Sequence, residues 1–297
     1  MSDNFFGMHW MLATPFDDNE EVDTDSIPNL VRKAKDTGCT GVVALGVTGE
    51  VARLSDQERF RVAVKVIESA GSLPVTLGTS AASTHAAVAR SKEAQNLGAA
   101  AVMVAAPPMQ KVNFDALLNH YKRIADAVDI PIVVQDYPQT TGVTMPPEFF
   151  ARVAESIPSA KYLKLEDPPT PPKITAIRKL IGDKMGIFGG LGGVFLLDEL
   201  ARGSMGAMTG FAYPEVLVKV IGYMADGNKA KAEEVFYRNL PLIMYEGQEG
   251  IGLSVRKQAL FNRGLISSPK VRAPGGPLAP EGQQELKHLV KWLELED

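Results

Sequence analysis

The chain has 297 residues, 45% of them hydrophobic and 22% charged, enough to bury a sizeable core as one large α/β barrel or two ordinary domains. Lys and Arg total 31 against 35 Asp and Glu, a net charge of -4. With no excess of positive charge to hold a polyanion, no nucleic-acid partner is expected.

The opening stretch, Met1 to Leu12, lacks the basic region and long apolar run of a signal peptide. No uninterrupted apolar stretch is long enough to span a bilayer, so a membrane association is not expected. A first strand is predicted over Met8 to Thr14, followed by Pro15 and Phe16. The helix predicted over 25–37 carries Ile27, Leu30, Val31 and Ala34 at helical spacing. Just beyond it lies the single cysteine, Cys39, which excludes an internal disulfide framework. With no histidine near it in sequence it reads as a structural thiol, in keeping with a reducing cytoplasm.

A second strand, Gly41 to Leu45, runs into the turn GVTGE, Gly46 to Glu50. The helix after it, 54–70, opens with Ser55 as N-cap and Glu58 three positions on, a capping box. Strands over 75–78, 100–105 and 130–135 then alternate with helices over 82–97, 113–127 and 147–156. Strands over 162–165, 186–188 and 206–209 alternate with helices over 172–181 and 194–201. Strands separated by helices pair in parallel through right-handed crossovers, and eight such units favour a closed (β/α)8 TIM barrel over an open doubly wound sheet. Beyond the eighth strand only helices are predicted, over 214–225, 229–245, 252–263 and 280–293. The expectation is a barrel over residues 1–212 with a C-terminal helical extension, 213–297, packed on it without a flexible linker.

Chemistry in such a barrel belongs at the carboxyl ends of the strands. The stretch AKYLKLEDPP, Ala160 to Pro169, sets Lys164 at the end of strand six with Glu166 two positions on, so both share one face with Tyr162. An amine held among apolar groups loses its proton more readily, and the neutral amine attacks a ketone to form a Schiff base. Glu166 is a candidate acid and base beside that amine; a plain salt-bridge pair is the alternative. In the GVTGE turn the backbone of Gly46, Val47, Thr48 and Gly49, with the Thr48 hydroxyl, can hold a carboxylate. No full positive charge is expected beside the lysine there.

Strand five ends in QDYPQTTG, where Gln135 and Tyr137 share the inward face and Asp136 points toward the helices. Strand seven ends in FGGLGG and strand eight in TGFAYP, which adds Gly189, Gly190 and Thr209 to the candidate binding residues. Glycine-rich ends on these two strands also suit a phosphate, so a phosphosugar enzyme is a second reading. The four histidines, His9, His85, His120 and His288, stand far apart, and no metal site is expected from them.

An ATPF start, the GVTGE turn, a Pro-x-x-Thr-Gly turn after strand five, a lysine ending strand six and a glycine-rich turn after strand seven occur here in order. In that combination the chain resembles the dihydrodipicolinate synthase and N-acetylneuraminate lyase family of Schiff-base lyases over nearly its whole length. The resemblance implies a class I mechanism in which Lys164 condenses with the keto group of a small 2-oxo acid while the turn at Thr48 holds its carboxylate. It implies no cofactor, and a homo-oligomer, dimer or tetramer. Four positions depart from the family pattern: Val47 replaces the first threonine of the turn, Gln135 the relay tyrosine of strand five, Thr140 the arginine of the true synthase, and Met109 a second relay tyrosine. These departures favour a dehydratase or aldolase of 2-keto-3-deoxy sugar acids, with Glu166 as acid and base and Gln135 or Tyr137 orienting a hydroxyl. The alternatives are 4-hydroxy-tetrahydrodipicolinate synthase, which joins pyruvate to aspartate semialdehyde, and a barrel that binds a 2-oxo acid without turning it over.

Overall fold

In the computed structural model, which describes residues 5–295, eight strands close into one barrel. They are β1 (Gly7–Met11), β2 (Gly41–Ala44), β3 (Val75–Gly78), β4 (Ala101–Ala105), β5 (Ile132–Asp136), β6 (Tyr162–Leu165), β7 (Gly186–Gly189) and β8 (Gly206–Thr209). Each pairs in parallel with the next, and β8 returns to β1, where Gly7 faces Gly206 and Trp10 faces Thr209. Every strand residue except Ala105 is buried. Strands covered on both faces have no solvent side to keep polar, which is why they read as continuous apolar runs.

The wall of the barrel separates two apolar clusters. Trp10, Val42, Val102, Val134, Leu163 and Ile187 point outward beneath the helices. Met11, Val43, Met103, Val133, Tyr162, Phe188 and Met208 point inward, joined by Phe5. Phe5 stacks on Tyr162 with ring centroids 4.5 Å apart, and Phe188 meets Tyr162 edge-on at 6.0 Å. Aromatic rings thus fill the amino end of the barrel, and polar groups are left for the carboxyl end.

Around the strands lie α1 (Ile27–Asp36), α2 (Asp56–Ala70), α3 (Thr84–Leu97), α4 (Phe114–Ala125), the single turn α5 (Pro138–Thr141), α6 (Pro147–Ser156), α7 (Thr170–Ile181) and α8 (Leu196–Ala201). The Ser55–Glu58 capping box starts α2 as its sequence implies. Beyond β8 come α9 (Pro214–Ala225), α10 (Lys229–Glu246), α11 (Gly252–Asn262) and α12 (Pro280–Trp292). Helix α9 packs on β1 and α8 and so closes the helical ring. Helices α10, α11 and α12 pack on one another, with α10 laid against α9. Among the described residues no helix is long and apolar enough to cross a membrane.

Two boundaries differ from expectation near the site. Strand β1 stops at Met11 rather than Thr14, so Leu12 to Thr14 lead out of the barrel. Strand β5 runs on to Asp136, and Pro138, whose fixed φ suits the first position of a helix, starts α5 at once. Tyr137 is therefore the N-cap of a turn and not a strand residue.

Inside the barrel His9 is buried, with Nε2 3.2 Å from the Phe5 carbonyl and its ring 5.2 Å from Phe188. Burial pushes its pKa down from the ordinary 6.5 to about 4. The unfolded chain takes up the proton first, so the contribution of neutral His9 to stability is complete above about pH 6.5 and is lost as pH falls toward 4. Between pH 7 and pH 5 that loss is about 2 kcal/mol. Urea-unfolding free energies of His9→Gln should accordingly fall less over this interval than those of the parent by about that amount; parallel pH profiles would refute the assignment.

Candidate active site

The alternation of β6 puts Leu163 and Leu165 against the helices and leaves Tyr162 and Lys164 pointing inward. Register pairs Lys164 with Gln135 on β5. Lys164 is 2% exposed. Its Nζ lies 2.8 Å from Glu166 Oε2 and donates to Met11 Sδ, on β1, at 2.9 Å. The same Glu166 oxygen accepts a hydrogen bond from Gln135 Nε2 at 2.8 Å. One buried carboxylate is thus held between an amine and an amide. Burial pushes the Lys164 pKa below the usual lysine range, with Glu166 opposing and Arg256 adding to the shift.

The glycines after β7 serve this arrangement from behind. A Cβ at Gly190 would collide with the Glu166 side chain, and one at Gly189 with Glu199, whose Oε1 accepts from Thr170 Oγ1 at 2.5 Å. Neither glycine lines the cavity above Lys164; Leu191 and Gly192, the next two residues, do. On the outer face Asp136 points into the helical layer, as the alternation of β5 requires. Lys173 of α7 donates at 2.6 Å both to Asp136 and to Asp167, the residue after Glu166. That pair of contacts ties the end of β5 to the segment carrying Glu166. Burial raises the Asp136 pKa to about 6 despite Lys173.

The turn after β2 has non-glycine residues in the left-handed region at both ends, Leu45 with φ 59° and Glu50 with φ 53°. Such conformations persist only where the surroundings hold them. Within the turn the Gly49 and Glu50 N-H groups donate to the Gly46 and Val47 carbonyls at 3.0 and 2.9 Å. Thr14 Oγ1 donates to the Gly49 carbonyl at 2.7 Å. Glu50 Oε2 accepts from Arg53 at 2.7 Å and from the Arg272 backbone N-H at 3.0 Å, and further support comes from α11. Arg256 donates through one terminal nitrogen to Thr48 Oγ1 at 3.1 Å and through Nε to Glu246 Oε1 at 2.6 Å. The next residue, Lys257, is buried, lies 2.5 Å from Glu50 Oε1, and sits 4.2 Å above the Phe16 ring. Two consecutive residues of one helix therefore grip the turn at both Thr48 and Glu50.

A cavity of about 690 Å³ opens above Lys164. Of the residues singled out from sequence, Lys164, Glu166, Tyr137, Val47, Thr48 and Thr209 line it. Gln135 does not line it but bonds to Glu166, which does. Gly46 and Gly49 shape the turn from behind, where a Cβ at Gly46 would collide with Met11. Tyr137 is half-buried, and burial followed by the nearby Glu166 and Glu249 carboxylates raises its pKa. Cys39 is buried away from the cavity, its thiol pushed up to about 12. His9 and His120 are buried elsewhere.

Sequence reasoning missed the outer wall. Met244, Glu246, the segment Gly247 to Gly250, and Arg256 all line the cavity from α10, α11 and the link between them. Arg256 also corrects the expectation that the turn holds an anion with no full positive charge nearby. Thr48 and Arg256 are 208 positions apart, so no local spacing joins them. The signal available was in α11 itself, GLSVRKQALFN, whose only charged residues are the adjacent Arg256 and Lys257.

Comparison with known proteins identifies the family of the chain. Residues 4–293 match the family model described as the dihydrodipicolinate synthetase family. The chain is 33% identical over 294 residues to the L-2-keto-3-deoxyarabonate dehydratase of Azospirillum brasilense, covering 97% of this chain and 94% of that protein. It is 31% identical over 290 residues to the 4-hydroxy-tetrahydrodipicolinate synthase of Methanothrix thermoacetophila, covering 96% of each. Among solved structures, dihydrodipicolinate synthase from Rhodopseudomonas palustris superposes with a TM-score of 0.92 at 36% identity, covering 98% of both chains. A closed barrel with a buried lysine ending its sixth strand, matched along almost its full length, belongs to the dihydrodipicolinate synthetase family of Schiff-base lyases.

Proposed function

We propose that this protein dehydrates a 2-keto-3-deoxy sugar acid through a Schiff base on Lys164. The observation that carries the reading is the buried contact of Glu166 with the Lys164 amine at 2.8 Å, with Gln135 fixing the carboxylate from the other side. Desolvation favours the neutral amine, which attacks the C2 keto carbon; water leaves and an imine forms. Glu166, beside the imine nitrogen, takes a proton from C3, and the electron pair becomes the enamine. The C4 hydroxyl then leaves with a proton returned by Glu166, so that the elements of water are lost. Hydrolysis of the imine frees the product and restores the lysine.

Three further observations support a sugar acid over the synthase substrates. The rim of the cavity carries Gln139, Thr140, Gln248 and Glu249, groups suited to a hydroxylated tail, and, among the described residues, no cation to hold a second carboxylate there. Thr140 stands where the synthase pattern calls for an arginine, and Gln135 where it calls for a relay tyrosine. The similar protein of Azospirillum brasilense is named as a dehydratase of this substrate class. With the reading go a cytoplasmic location, in keeping with a free buried thiol, and a homodimer or homotetramer.

Borohydride reduction in the presence of pyruvate should add the mass of a reduced pyruvate adduct to the parent and none to Lys164→Ala. A Lys164→Ala adduct at parental level would sink the Schiff-base reading. Incubation with 2-keto-3-deoxy sugar acids should release the dehydrated acid; pyruvate as the product would instead mean aldol cleavage. In Glu166→Gln, trapping should persist while turnover falls about 10²- to 10⁴-fold, and turnover near the parental rate would remove Glu166 from the mechanism. Because the neutral amine is the nucleophile and burial lowers its pKa, the rate of imine formation should fall as pH is lowered through a midpoint below the ~10.4 of free lysine.

A further inference from the structure

We infer that Arg256, supplied by the C-terminal helices, is the cation that recognises the substrate carboxylate, and that Glu246 positions it for that task. The inference deepens the reading of Lys164 above and rests on it. Of the described residues that line the cavity, the only cationic ones are Lys164 and Arg256. Lys164 is taken up by the reacting carbon, which leaves Arg256 to answer the charge of a 2-oxo acid.

Its place fits that role. The Lys164 amine ends against Met11 of β1, and β1 is flanked by β2 and β8. Arg256 lies over this same side of the mouth, bonded to Thr48 beyond β2 and close to Gly210 beyond β8. A Cβ at Gly210 would clash with Thr48 and press on the Arg256 terminal nitrogen at 3.1 Å, so the absent side chain makes the space in which the guanidinium lies. The carboxylate of a 2-oxo acid is one bond from the carbon that the amine attacks and so falls between the amine and Thr48. A guanidinium has five N-H groups; one is used on Glu246 and one on Thr48, which leaves three for a ligand in a fork that matches a carboxylate.

Glu246 gives the fork its direction. Its Oε2 accepts from the Ala212 N-H at 2.9 Å, and its Oε1 takes the Nε edge of Arg256 at 2.6 Å. It is 3% exposed, which keeps that edge from solvent. Glu246 touches no reacting atom; it acts through Arg256.

The test compares pyruvate with pyruvamide, its neutral counterpart, by the concentration giving half-maximal borohydride-trapped adduct. The parent should prefer pyruvate by about 10- to 100-fold, the range expected of a charge-assisted pair. Arg256→Gln should lose most of that preference, Arg256→Lys should keep part of it, and Glu246→Gln should narrow it. Both ligands are read on one sample, so a smaller folded fraction leaves the ratio unchanged. An unaltered preference in Arg256→Gln, or affinity for both ligands falling equally, would overturn the role of Arg256. A preference narrowed in Arg256→Gln but intact in Glu246→Gln would overturn the positioning role. No adduct with either ligand on the parent would instead overturn the Schiff-base reading itself.

Discussion

A lysine and a glutamate share a nearly dry space at the barrel mouth, and the surrounding structure answers the electrostatic demand they make. Two charges withdrawn from water cost several kcal/mol each unless further hydrogen bonds satisfy them. Gln135 supplies one such bond to Glu166, and Met11 gives the amine a soft second partner beside the Glu166 oxygen. The pair has another route of relief, since the lysine can give up its proton. That route is also the one the proposed imine chemistry needs, since only the neutral amine is a nucleophile.

Precision around that pair comes from a layer that does not touch it. Lys173 joins Asp136 to Asp167 outside the wall, and so fixes the end of β5 relative to the residue following Glu166. Glycines at 189 and 190 give Glu199 and Glu166 their room. The turn after β2, with left-handed backbone at Leu45 and Glu50, is fastened by Arg256 and Lys257 of α11. Rigid elements thus hold both the buried amine and the turn that faces it.

Much of this was legible in the chain. Strand order, the closed barrel and the inward face of Lys164 and Glu166 follow from period-two alternation and from the prolines that end β6, signals carried within a few residues. Asp136 was placed on the outer face by the same parity. The missing part had a different physical origin. Tyr137 leaves the strand because Pro138 begins a helical turn, which alternation alone does not register. Arg256 and Glu246 reach the mouth through the packing of α10 and α11 on the barrel, and helical periodicity reports which face is buried but not which turn it meets. The isolated Arg-Lys pair in α11 was the local trace of that contact, because a buried charge needs a partner from elsewhere.

The grip of α11 on the turn also bears on the order in which the chain is made. Domains tend to fold from the amino end as synthesis proceeds, and all eight strands precede the helix that holds Thr48 and Glu50. A nascent chain that has closed its barrel still has Glu50 without Lys257 and Thr48 without Arg256. The lysine can be in place while the floor opposite it is unfinished. Completion of this mouth therefore waits for the last quarter of the polypeptide, although every strand of the barrel is already made.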